Sequence, residues 1–366
     1  MTEPRRGEPP AATIPRGPGR SRIAAAVPAR ARLELQAAVI ALLASIAIGS
    51  VLMMIVGQAP GHVWWEMVSR TAGEPYLLGQ MLYRATALAL TGLSVAVALE
   101  AGLFNIGAEG QLAAGVLVCA LVGAALPAGT PAGIAIPGCE LAGAAAGGAM
   151  GAVIGVLRVT RGAHEVITSI MLNAIVAGFS LYLGNRVIFR GGTTTGSAIV
   201  EGARLAKLGL GGSSANAAIA IAVIAVAVVW WLRAKTTWGQ AWRAVGQSQE
   251  AARTTGISVG KVQIVVMIGA GALAGLAATN LVMGNRYAFE EGLGRGTGLL
   301  GISAALLGRM HPVGIAVAAI LLGFLSAGGL AVADLVPKEL SEMLQGVVVL
   351  AVAASVPWVR RAKVVS

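Results

Sequence analysis

Charge is scarce in this chain. Only 12% of its 366 residues are Asp, Glu, Lys or Arg, about half the share usual in soluble domains. That excludes an ordinary soluble protein of this length. Cysteine is nearly absent: Cys119 and Cys139 are the only two, both among apolar neighbours, which leaves no disulfide framework. Histidine occurs three times, and no second His or Cys stands near His164 at ligand spacing, so no metal site is expected. Catalytic motifs are missing too. The stretch GISVGKV from Gly256 to Val262 is too short for a phosphate-binding loop, and no Ser or Thr follows Lys261. There is no G-x-S-x-G elbow, no H-E-x-x-H and no filter-like channel sequence. The chain is not expected to be an enzyme or to bind ATP, metal or any other cofactor itself.

What remains is apolar. Hydrophobic residues make up 56% of the chain and 51 residues are glycine; mean hydropathy is +0.78. Apolar runs of roughly membrane-spanning length recur, near 36–57, 82–101, 108–127, 133–157, 166–185, 215–233, 262–283, 296–309, 312–332 and 341–358. The fold class expected is all-α, a polytopic transmembrane helical bundle of about ten spans. The eighth, GTGLLGISAALLG, is short and glycine-rich and reads as a re-entrant or broken helix.

Net charge is +11, but the basic residues sit in short loops and tails rather than on one face, so no nucleic-acid partner is expected. Residues 1–32 form a Pro- and Arg-rich tail expected to be disordered and cytoplasmic; a start codon placed too early would leave the same tail. With the N-terminus inside, the inner loops hold Arg158, Arg161, Arg233, Lys235, Arg243, Arg253, Lys261 and Arg309, while the outer loops mix both signs. This bias places both termini, the short basic tail 359–366 and the loop 234–261 in the cytoplasm, flanking a transmembrane domain over 33–358. Trp64, Trp65, Trp230, Trp231 and Trp358 stand at segment ends, where interfacial tryptophans sit.

Several stretches stand out against this background. EAGLFNIGAEGQ places Glu100, Asn105, Glu109 and Gln111 in an apolar context. It reads either as a broken helix end at the translocation path or gate, or as a tight turn with its carboxylates in water. In GAHEVITSIMLNAI, Thr168, Ser169 and Asn173 share a helical face, and Asn173 faces a cavity or a partner helix. Gly143, Gly147, Gly151 and Gly155 recur every four residues, a groove for close helix packing. From Gly239 to Ala252 the loop can form a short helix with Trp238, Trp242 and Val245 on one side, fit either for the membrane surface or for a groove in a soluble partner.

Three of these stretches, AGLFNIGAEGQ at 101–111, GAHEVITSIMLN at 162–173 and GQAWRAVGQSQEAARTTGI at 239–257, resemble the permease subunits of bacterial ABC importers. GISAALLGRMHPVG at 301–314 resembles the same group's late Gly-rich segment. The likeness covers roughly residues 80–330 and is greatest to the branched-chain amino acid/ribose-type permease superfamily, in its nucleoside-importer branch. It implies a permease of the bacterial plasma (inner) membrane that pairs with a second, related permease. It also implies ATPase subunits that carry ATP and Mg, and an extracytoplasmic substrate-binding protein. Gly239, Trp242, Arg243, Ala244, Gly246, Glu250, Ala251, Ala252 and Gly256 would form the coupling loop that enters a groove on the ATPase. Glu250, Ala251, Ala252 and Gly256 also look like the start of the EAA---G motif of importer permeases, without its hydrophobic ending. Family members more often show Asn-Pro where this chain has Ser248-Gln249. The solute implied is a nucleoside, with a simple sugar next. An ion-coupled secondary transporter using Glu100 or Glu109 stays open as an alternative, as does an exporter or channel.

Overall fold

A computed structural model describes residues 40, 43–189, 194–337, 339–340, 342–348 and 350–351. The tails 1–32 and 359–366 lie outside the described residues, as do parts of the first and last expected spans.

Prolines and glycines set the helix ends. Proline at a first helical position loses no hydrogen bond, because the first N–H groups of a helix have no partner within it. Pro60, Pro75 and Pro312 open α2 (Pro60–Gly73), α3 (Pro75–Glu100) and α12 (Pro312–Ala331) in this way. Gly162, left-handed at φ 66°, closes α5 (Ala132–Arg161). The first helix, α1 (Leu43–Ile55), is bent by 114° from α2. The stretch between the first two expected spans is therefore largely helical. Val63, Met67 and Thr71 recur every four residues on the buried side of α2, and α3 starts seven residues before the expected 82.

The remaining long helices fall close to the expected runs: α4 (Ala108–Ala125), α6 (Glu165–Leu183), α7 (Ala218–Lys235) and α10 (Val259–Leu276). Two continue as wider π-turns, Gly184–Ile188 after α6 and Thr279–Arg286 after α10. Among the described residues seven helices are long and apolar enough to cross a membrane, or eight if α1 and α2 count as one bent span.

The segment 296–309 is α11 (Thr297–Leu307), eleven residues long. At 1.5 Å per residue it reaches about 16 Å, half a hydrocarbon core. By length it is a half-helix, bounded by Gly296 and Gly308.

α3 lies at the centre, with α7, α10, α11 and α12 around it. One end of the bundle collects the ends of α3, α5 and α7 and the starts of α6 and α10: Arg233 meets Glu100, Arg158 meets Glu165, and Val159 meets Gly260. Two short helices cover this end, α8 (Thr237–Gln247) and α9 (Gln249–Thr254). At the opposite end the expected loops pair with each other. Strand β1 (Thr195–Ala198) runs antiparallel to β2 (Ala288–Glu290), and Phe189 stacks on Phe289 with centroids 5.9 Å apart. This small ribbon is an addition to the all-α expectation. Chain leaving a helix there must still satisfy its backbone groups, and pairing two such loops does so.

Candidate functional site

The helices at the α8 end are set by two hydroxyl caps. Thr236 Oγ1 accepts the Gly239 N–H at 3.1 Å and Ser248 Oγ accepts the Ala251 N–H at 3.2 Å. Each satisfies an N–H that has no helical partner. The single helix expected over Gly239–Ala252 is thus two, broken at Ser248, whose backbone is extended (φ −159°, ψ 113°). This explains the departure at 248–249. Asn-Pro would be a cap followed by a first-position proline, and Ser-Gln supplies an equivalent cap.

Trp242, Val245 and Ala252 are buried, whereas Trp238 is 48% exposed and edges an apolar groove with Val228 and Val265. Only two of the three residues expected on the apolar side are therefore covered. Trp242 reaches Glu100 at the end of α3. The carboxylate accepts Arg233 Nε–H at 2.5 Å on Oε1 and Trp242 Nε1–H at 3.2 Å on Oε2. One carboxylate so joins α3, α7 and α8. Two glycines seat the helix. A Cβ on Gly239 would overlap the Leu232 carbonyl, and one on Gly246 would overlap the Glu100 carbonyl. Arg243 is half-buried and donates from Nε to the Gly239 carbonyl at 3.1 Å, and Ala244 is half-buried beside it. Glu250, Ala251 and Arg253 face outward, and Gly256 ends the segment at φ 84°.

A second cluster lies at Ser94 of α3, six residues before its Glu100 end. Asn105 and Gln111 are fully buried and form a closed amide pair: Asn105 Nδ2 donates to Gln111 Oε1 at 2.9 Å and Gln111 Nε2 donates back at 3.2 Å. Asn105 also donates to Ser94 Oγ at 3.0 Å. Neither residue has accessible surface; they pin the 101–107 loop against α3. Asn173 on α6 holds the start of α4, accepting the Gly110 N–H at 2.9 Å and donating to the Ile106 carbonyl at 3.1 Å. Glu109 turns the other way. Its carboxylate accepts the N–H groups of Gly296 at 2.6 Å and Gly298 at 2.9 Å, at the first turn of α11. Anionic groups are favoured there by the helix dipole. Glu109 and Asn173 line an open cavity of about 260 Å³ together with residues 289–295. Of the residues expected at one path or gate, then, Glu100 stands with α7 and α8, Asn105 and Gln111 bond to each other, and Glu109 and Asn173 share a cavity.

Residues 77–353 match the family described as the permease component of branched-chain amino acid transport systems. The chain belongs to this family. It is 35% identical to the guanosine ABC transporter permease protein NupP of Bacillus subtilis over 323 residues, 86% of this chain and 92% of that protein. It is 30% identical to the nucleoside ABC transporter permease protein NupB of Lactococcus lactis over 86% of this chain and 89% of that one. A glucose ABC transporter permease protein of Haloferax volcanii is 33% identical over 85% of each chain. No solved structure matches the chain.

This permease is a multi-pass membrane protein, and its glycine stripe is a packing seam. Gly143, Gly147, Gly151 and Gly155 of α5 lie against Ile264, Met267, Gly271 and Gly275 of α10. A Cβ on Gly147 would overlap the Gly271 carbonyl, and one on Gly271 would overlap that of Gly147. In lipid, such backbone proximity replaces the hydrophobic effect as the source of helix association. His164, never a metal candidate, caps α6 through Nδ1. Sequence reasoning missed one polar pair in the permease core. Asn216 Nδ2 donates to Asn280 Oδ1 at 2.9 Å, and Asn280 Nδ2 donates to the Tyr83 carbonyl at 2.9 Å. Asparagines in otherwise apolar runs were the available signal.

Proposed function

We propose that this permease forms one half of the pathway of an ATP-driven importer in the bacterial plasma membrane, carrying a nucleoside, or failing that a simple sugar. Its partners are a second permease, ATPase subunits holding ATP and Mg, and an extracytoplasmic binding protein. The observation that carries the coupling role is the Glu100 junction. An outward-facing helix pair is wired through one carboxylate into the central helix α3 and into α7.

Closure of the ATPases moves α8 and α9; the Glu100 junction passes that motion to α3. α11 follows α3, because Gly301 packs directly on Thr91 and Thr91 Oγ1 meets the Thr297 carbonyl at 3.3 Å. Opening then alternates between two packings of similar energy that the partners bias. The ion-coupled alternative is the weaker reading. Glu100 and Glu109 are both engaged, by Arg233 and Trp242 and by the α11 N–H groups. The solute reading rests on the relatives' names, since Asn105 and Gln111 are spent on each other.

The test is uptake of radiolabelled guanosine and glucose by cells expressing the complete importer, with active or hydrolysis-dead ATPase. Guanosine uptake that vanishes with the dead ATPase is expected. Uptake that persists and collapses only with an uncoupler overturns the ATP-driven reading, and uptake of glucose alone overturns the nucleoside one. Glu250→Arg, at an outward-facing position, is expected to weaken ATPase co-purification while the permease stays folded.

A further inference from the structure

A cavity of about 690 Å³ opens between α3, α11, α12 and the helical residues 342–348, within the roughly 300–1,000 Å³ range of small-molecule sites. Arg84, Arg295, Ser303, Ser326, Glu342 and Gln345 supply its polar lining. Its depth is unusual for such groups. Arg84 is nine residues into α3, about 13 Å from its outer end at 1.5 Å per residue, and about 24 Å from Glu100. α3, about 39 Å long, exceeds a hydrocarbon core of about 30 Å, so Arg84 falls in the outer half of that core; an arginine on a span is costly against lipid, and such residues face water-filled paths or partner groups. The face of α6 shows the contrast, with Ile167, Ile170, Met171, Ile175 and Phe179 exposed. Arg295 sits between Gly294 and Gly296, both left-handed (φ 81° and 82°), and reaches this cavity and the Glu109 cavity alike.

The lining chemistry is one-sided. None of the described residues around this cavity is aromatic, yet protein sites that hold a nucleobase commonly stack it on an aromatic ring, at about 1–3 kcal/mol per base. Guanidinium donors, hydroxyls, an amide and a carboxylate instead match the alternating donors and acceptors of sugar hydroxyls.

We propose that this cavity holds the solute in transit and grips its hydroxylated sugar rather than its base. This rests on the nucleoside reading above. Selectivity among bases then falls to the binding protein, while the permease passes any nucleoside of suitable size.

The test places single cysteines at Leu300→Cys and Ala333→Cys, apolar lining positions on α11 and just beyond α12, in the complete importer. Cys119 and Cys139 are fully buried, so background labelling is low. Both new cysteines are expected to react with a small cationic methanethiosulfonate, and Ile175→Cys on α6 is expected not to. Guanosine and uridine should each slow the reaction severalfold, and guanine should not. If neither cysteine reacts in variants that still import guanosine, no solute path runs there. If no nucleoside protects, or guanine protects as well as guanosine and uridine does not, the sugar grip is wrong. Should the parent importer move no nucleoside while glucose protects both cysteines, the nucleoside reading fails and the cavity stands.

Discussion

Glu109 accepts the Gly296 N–H at 2.6 Å and the Gly298 N–H at 2.9 Å. The start of α4 is thereby joined to the start of the half-helix α11 inside the bundle. A Cβ on Gly298 would overlap the Glu109 backbone. Both helices therefore begin at one point, well away from either end of α3.

Glu109→Gln keeps the size and removes the charge. One amide oxygen cannot accept what two carboxylate oxygens do, and its NH2 would face N–H groups. A loss of about 1.5–3 kcal/mol is expected from hydrogen bonds to a charged group, seen as a lower melting temperature in detergent and reduced uptake. Unchanged melting would mean that α11 is held by its packing on Thr91 alone.

Trp242→Phe keeps the ring in its buried place and removes the N–H that reaches Glu100. ATP hydrolysis by the assembled importer should continue while solute moved per ATP falls. Glu100→Gln should fall further, since it also unpairs Arg233, which is 26% exposed beside it. Equal transport-to-hydrolysis ratios in both variants and the parent would dissociate this junction from coupling.

Gly147→Leu and Gly271→Leu should each prevent stable assembly of α5 and α10, because each new side chain meets backbone across the seam. Gly138→Ala, on the same α5, adds a methyl group that would find nothing within 4 Å. It should be neutral or stabilise by about 0.5–1 kcal/mol through helix propensity. Size-exclusion profiles of the three variants in one detergent make the comparison.

Ser248→Ala removes the cap of α9 and is expected to lose about 1 kcal/mol of local stability, while Ser248→Asn restores it. Amide hydrogen exchange over Gln249–Thr254 reads the difference. Faster exchange in neither variant would show that α9 is held by Ala252 burial and not by its cap.

The apolar runs were enough to place most of the helices. In lipid a span must satisfy its own backbone hydrogen bonds, so length and hydropathy alone mark where it runs. The Gly143–Gly155 stripe was legible for a similar reason: a four-residue repeat of glycine on a helix makes a groove whichever helix fills it. α2 was less legible, because its apolar residues are interrupted by Glu66, Ser69 and Arg70 and no long run forms.

The chain's residues by themselves determined that it lies in lipid, where most of its helices fall, and which polar loop stands apart with two tryptophans on one side. Only the tertiary structure decided which polar residues meet. Glu100 and Glu109, nine positions apart in one motif, hold different elements: one binds α7 and α8, the other the start of α11. Asn105 and Gln111 turn inward upon each other. The partners of the two carboxylates come from segments more than a hundred residues away, and no local pattern encodes which of several buried polar groups will find which donor.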